Sequence, residues 1–138
     1  MDASHETFPQ AVLDALTDHI AVLDANGVIV AVNAAWQRFA RDNAASPLIA
    51  SGVGLNYLEA CRGAADRGDA TAREALAGLQ AVLAGDCLEF ALEYPCHAPT
   101  EERWFRVRAT PLQPPHRGVV VAHTNITPRK AAEAALHK

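Results

Sequence analysis

The run GVVVAHTNI, residues 118–126, is the tightest constraint on how this 138-residue chain can fold. Val119, Val120 and Val121 are consecutive β-branched residues, which favour a strand over a helix. A strand apolar on both faces has to be covered on both, so it belongs in the middle of a sheet. The neighbours it needs can be read nearby. In CLEFALEYPCH, residues 87–97, Leu88, Phe90, Leu92 and Tyr94 alternate with Cys87, Glu89, Ala91 and Glu93. In RWFRVRATPL, residues 103–112, Phe105, Val107 and Ala109 alternate with Trp104, Arg106 and Arg108. Each predicts a strand with one buried and one wet face. If the two pair, Glu89 and Glu93 share a face with Arg106 and Arg108, and their charges help fix the register.

Two more strands are predicted by HIAVLDANGVIVAVN, residues 19–33, around Asn26-Gly27, a pair suited to the positive φ angles of a tight turn. Between the strand groups lie helical patterns. Asn33 is placed to cap AAWQRFARDN, in which Trp36, Phe39 and Ala40 share a face. LNYLEACRG predicts one or two helical turns. In DATAREALAGLQAVLAG, Thr71 and Glu74 have capping-box spacing, Leu76, Leu79, Val82 and Leu83 form a stripe, and Gly85 ends the helix. A short amphipathic helix, PQAVLDALTD, precedes the first strand with Pro9 at its start. Two strands, a block of helices and three strands make an α+β fold: one antiparallel sheet with helices on one face.

The net charge of −4, with Lys and Arg scattered among acids, argues against nucleic-acid binding. No apolar stretch approaches the ~18 residues of a membrane span. The opening MDASHETFPQ has neither the basic region nor the apolar core of a secretory signal. Cys61, Cys87 and Cys96 are widely spaced and odd in number, so a reduced, cytoplasmic setting is expected. G-x-S-x-G, H-E-x-x-H and P-loop signatures are all missing, and Glu89 and Glu93 fall on a wet face, so no enzymatic activity is expected.

The element order and three stretches resemble PAS domains, sensory modules of bacterial kinases, cyclases and chemoreceptors. The stretches are HIAVLDANGVIVAVNAAWQRF, RWFRVRATPL and GVVVAHTNITPRKAAEAAL. The closing NIT-x-R-K is similar to the D-I-T-x-(R/K) sequence that ends many PAS domains and begins the helix leading to an output domain. Asn125 stands where Asp is usual, keeping an acceptor and dropping the charge. The resemblance implies a lead-in at 1–8, a sensory domain at 9–127 and the start of a connector helix at 128–138. It also implies a parent signalling protein, such as a two-component kinase or a cyclase, whose output domain lies beyond Lys138. Thr127 is placed to cap that helix, with Pro128 at its first position. Ala132, Ala135 and Leu136 leave it a narrow apolar stripe.

For a small organic ligand, the resemblance implies a pocket between sheet and helices. Its expected lining is Asn33, Trp36, Phe39, Tyr57, Leu58, Leu79, Leu83, Phe90, Leu92, Tyr94, Phe105 and Val107, with Ser46 to Gly54 gating entry. Asn125, Ile126 and Thr127 would relay the signal. The alternative is a filled core in a module that dimerises through its N-terminal and/or C-terminal helix; the many large inward side chains favour it, while Ala75, Gly78 and Ala81 leave room for a ligand. Heme is not expected, because neither helix facing the sheet carries a histidine; His97 and His123 are the candidates left. GLNYLEACRG resembles the G-x-N-C-R-F-L stretch of light-sensing flavin domains at Gly54 and Asn56. Tyr57 replaces the reactive cysteine and Cys61 lies about a turn along, which excludes adduct photochemistry and leaves adduct-free flavin binding a minor alternative.

Overall fold

The computed structural model describes residues 8–42, 52–95 and 102–136. The chain runs α1 (Phe8–Ala15), β1 (His19–Asp24), β2 (Ile29–Val32), α2 (Ala34–Asp42), α3 (Tyr57–Asp66), α4 (Ala70–Ala84), β3 (Phe90–Pro95), β4 (Trp104–Pro111), β5 (Gly118–Asn125) and α5 (Thr127–Leu136). The strands form one antiparallel sheet in the order β2-β1-β5-β4-β3. The triple-valine strand is therefore central, paired with β1 on one side and β4 on the other.

Period-two alternation sets the inner face. Ala21 and Leu23 of β1, Phe105, Val107 and Ala109 of β4, and Val119 and Val121 of β5 are all buried. Against them α2 brings Ala35 and Trp36, α3 brings Tyr57, Cys61 and Ala64, and α4 brings Ala72, Ala75, Leu79 and Val82. Leu58, Leu76, Leu83, Phe90 and Leu92 pack around this cluster, partly buried. Leu88, expected to point inward, lies before β3 begins and is exposed.

Several local details depart from the sequence reading. Only Gly27 takes a positive φ at the first hairpin; Asn26 does not. The turn is closed instead by Gly27 N donating to Asp24 O, while the Asp24 carboxylate accepts from Asn26 N and Val28 N. A bulge between Val22 and Leu23 absorbs the extra residue. Helix α3 runs ten residues, capped by Asn56, whose Oδ1 accepts from Glu59 N. Helix α4 is capped by Asp69 rather than Thr71, since the Asp69 carboxylate accepts from Ala72 N. Gly85, at φ 83°, ends it as expected.

Gly78 leaves no room on α4. A Cβ there would lie 2.2–2.4 Å from the Phe90 ring, which covers the glycine. Gly78→Ala should therefore cost about 1–3 kcal/mol through overpacking, against the ~1 kcal/mol that alanine returns in helix propensity. Urea unfolding of the variant checks this. A midpoint above wild type would mean that Phe90 moves aside freely.

Candidate functional site

The core encloses a polar arrangement around His123. His123, on the inner face of β5, is fully buried. Tyr94 reaches it from β3, with its hydroxyl 2.7 Å from Nδ1, and Tyr57 from the first turn of α3, with its hydroxyl 3.2 Å from Nε2. Trp36 of α2 closes the side, its ring centroid 5.5 Å from the imidazole and 6.0 Å from Tyr57. A neutral imidazole carries one N–H, so it donates to one hydroxyl and accepts from the other. Burial holds the His123 pKa down at about 3, with the neighbouring His19 adding to the effect, and the ring is neutral at physiological pH. Burial likewise raises the Tyr57 phenol well above its ordinary value and the Cys61 thiol to about 12. The centre is polar, uncharged and tied to three elements.

An aromatic group extends it toward the start of β1. His19 pairs with His123 in register and stacks on Phe39 at 4.4 Å. Phe39 meets Phe105 edge-on at 5.2 Å, and the Arg103 guanidinium lies 5.4 Å from the Phe39 ring and 5.7 Å from that of Phe105. Burial lowers the His19 pKa, and its Nδ1 has no hydrogen-bond partner among the described residues.

Of the expected lining, Trp36, Tyr57, Leu79, Tyr94, Phe105 and Val107 are buried in this core, and Phe39, Leu58, Leu83, Phe90 and Leu92 pack on it. Asn33 is buried too, but its amide is already engaged. It accepts from Ile20 N and Trp36 N and donates to the carbonyls of Leu13, Leu16 and Asp18. Residues 46–51 of the expected gate lie outside the described residues, as does His97. His123, the other histidine weighed for heme, has both ring nitrogens engaged by tyrosines. An open groove of about 320 Å³ lies elsewhere, at the β2 edge, lined by Gln10, Asp14, Val30, Ala31, Val32, Gln37 and Val53. It gathers none of the expected ligand residues.

The junction after β5 is built from short polar contacts. Ile126 is buried, and its N–H donates to Trp104 O. The Thr127 hydroxyl accepts from Trp104 N, so it fastens the helix start to β4 rather than capping α5. Asn125 Oδ1 takes the Thr127 N–H at 2.9 Å. Beyond this point α5 buries no residue. The Glu93 carboxylate of β3 holds it, bonded to Arg129 and, at 2.9 Å, to Lys130, whose ammonium lies 4.9 Å from the Trp104 ring. Hydrogen bonds from Arg129 and Lys130 hold the Glu93 pKa down at about 2. Sequence reasoning paired Glu93 with the arginines of β4. Glu93 does lie opposite Arg106, and Glu89 sits 3.6 Å from Arg108, but the Glu93 carboxylate turns to α5.

A five-stranded sheet with helices on its inner face, a central strand carrying a buried polar residue, and a helix leaving directly from that strand make up a two-layer α+β module. The chain belongs to the PAS family: the family model described as PAS fold matches residues 13–131. PAS domains are sensory modules of signalling proteins. The chain is similar to an uncharacterized 104.1 kDa protein in the hypE 3′ region of Rhodobacter capsulatus, at 47% identity over 123 residues. That match covers 86% of this chain and 12% of the relative, so the chain spans about an eighth of the protein it matches. Among solved structures it is similar to the PAS domain of Bordetella pertussis BvgS, at 19% identity and a TM-score of 0.62, covering 94% of this chain and 92% of that one. It is also similar to the sensor region of a sensor histidine kinase, at 19% identity and a TM-score of 0.57, covering 94% and 44%. At these identities the likeness speaks for the fold. No described helix is long and apolar enough to cross a membrane.

Proposed function

We propose that this domain senses a small uncharged organic molecule taken up between the inner sheet face and helices α2 to α4, and relays its presence through β5 and α5 to an output domain. One observation carries the reading: His123, the polar centre of the core, sits on the strand that runs straight into Asn125, Ile126 and Thr127. A ligand that re-pairs Tyr57 or Tyr94 pulls on His123, and only Thr124 separates His123 from the junction. An uncharged ligand fits because His123, Tyr57 and Tyr94 are neutral, and burying an unpaired ion among them would be costly. Binding acts as a signal only if the ligand favours one of two arrangements of the domain.

The test is native and denaturing mass spectrometry of the purified chain, followed by thermal shift against a metabolite panel. A ligand at a hundred times its Kd stabilises by about 3 kcal/mol, or very roughly 10 °C for a domain of this size. Tyr57→Phe should reduce that shift. The reading fails if no non-covalent mass is retained and no panel member moves the melting temperature.

A second reading, dimerisation, is favoured by the orientation of α1. Its polar side faces the domain, with Gln10 Nε2 donating to Val32 O and the Asp14 carboxylate accepting from Ala34 N. Phe8, Val12 and Leu16, spaced four apart, are exposed. A second copy would cover this stripe, and Val12→Glu should then leave the protein monomeric in sedimentation velocity. A wild-type chain that is monomeric at high concentration removes this reading.

A further inference from the structure

We propose that Glu93 is the shared partner of two competing ion pairs: α5 is docked while Glu93 holds Arg129 and Lys130, and is released when Glu93 turns to Arg106. The proposal deepens the relay reading given above, since it concerns how α5 is held.

The observations come from the outer face of the sheet. By strand parity Glu93, Trp104 and Arg106 all point to that face, opposite the buried Tyr94, Phe105 and Val107. Glu93 and Arg106 are direct register partners, the closest placement two strands allow. Even so, the carboxylate is committed elsewhere, with Oε2 on Arg129 and Oε1 on Lys130. Arg106 Nε, meanwhile, is buried and has no hydrogen-bond partner among the described residues. A buried N–H without an acceptor is a cost that native structures rarely leave standing. The nearest acceptor by register is the carboxylate that α5 has taken.

The consequence is a balance. Helix α5 buries no side chain, so apart from its first residues it is held by this exposed cluster and by Lys130 over Trp104. Contacts of this kind are individually weak. Lifting the helix breaks them but frees Glu93 to satisfy Arg106, which offsets part of the loss. The two arrangements are therefore close in free energy, as a relay element has to be. The pivot is fixed by the Thr127 hydroxyl on Trp104 N and by Ile126 N on Trp104 O, both on the strand that carries Arg106. A shift of β5 against β4 then moves the pivot relative to Glu93 and tips the balance.

The experiment is ¹⁵N NMR of the 138-residue chain, following the arginine Nε–H signals, with Arg106→Lys assigning the one from Arg106. In Arg129→Ala/Lys130→Ala, the Arg106 signal should move and exchange with water about two- to fivefold more slowly, the range an exposed ion pair supports. Adding Glu93→Gln should reverse both changes. Arg106→Gln alone should raise the hydrogen-exchange protection of the α5 amides, since the released state loses its partner. An Arg106 signal indifferent to the loss of the α5 cations, or a change that survives Glu93→Gln, overturns the proposal. All of these readouts are internal to the domain, so they separate the exchange from the relay. If they appear while an output domain fused after Lys138 ignores Glu93→Gln, the exchange stands and the relay reading falls.

Discussion

Acidification from pH 7.5 to 4.5 is expected to lower the stability of this domain by about 3 kcal/mol through His123 alone. The unfolded imidazole titrates near 6.5, and the folded one near 3 because burial disfavours its charged form. A depressed folded pKa means that the unfolded chain takes up the proton first. The stability is intact above 6.5 and falls as pH drops through the window down to about 3, at ~1.4 kcal/mol per unit. Glu93 acts in a separate, lower window, because its folded pKa of about 2 lies below its ordinary 4.5. His19 shifts in the same direction as His123, so wild type has to be compared with a variant.

His123→Gln is the suitable variant, because the amide can still donate to one tyrosine and accept from the other but does not titrate. Its urea-unfolding free energy should be lower at neutral pH and flatter between 7.5 and 4.5. Equal slopes in the two proteins would show that His123 is not the group responsible. If the variant does not fold, the ring protons of His123 in wild type give the same answer by NMR: they should not titrate above pH 4.5.

The sheet was legible in the sequence because its signals are local. Three consecutive valines placed β5 at the centre, and alternation in β3 and β4 placed Phe105, Val107 and Tyr94 inward, where the structure has them. The polar centre was half legible. Tyr57 and Tyr94 were placed in the expected lining, while His123 entered only as a remaining candidate for heme. Parity held the missing signal: counting by twos from Val119 through Val121 reaches His123 on the same buried face. That it bridges Tyr57 and Tyr94 could not be read, because those partners lie 66 and 29 residues away.

The helix ends show a different limit. Thr71 and Asp69 are both competent caps, and what decides between them is the phase of Ala72, Ala75, Leu79 and Val82 against the sheet, a tertiary fact. The Thr127 hydroxyl was likewise expected on its own helix, but the backbone of Trp104 lies close enough to claim it. Glu93 was matched with the nearest strand cations because only the fold shows that α5 returns over that face.

Asn33→Asp should be among the most damaging single changes in the domain, costing about 3–5 kcal/mol at neutral pH. The native amide ties three elements together at one buried point. Its Oδ1 accepts from Ile20 N at 3.0 Å and Trp36 N at 2.9 Å. Its Nδ2 faces the carbonyls of Leu13 at 3.0 Å, Leu16 at 3.3 Å and Asp18 at 2.8 Å. Aspartate keeps the shape and the acceptor but turns a donor into an anionic oxygen aimed at those carbonyls. The carboxyl should then be neutral in the folded chain, with a pKa above its unfolded value near 4. The sign follows: the variant's stability relative to wild type is regained at low pH, fully below the unfolded pKa, and is lost as pH rises through the raised folded one. Both proteins contain His123, so its acid loss cancels in the difference between them. Asn33→Ala lacks the titrating group, and its deficit of several kcal/mol should not vary with pH. Urea unfolding of all three proteins at pH 7.5, 5.5 and 4.5 makes the comparison, and recovery of a folded signal on acidification serves if Asn33→Asp is unfolded at neutral pH. A deficit in Asn33→Asp that grows on acidification, or matches Asn33→Ala at every pH, would mean that the Leu13, Leu16 and Asp18 carbonyls do not depend on the amide.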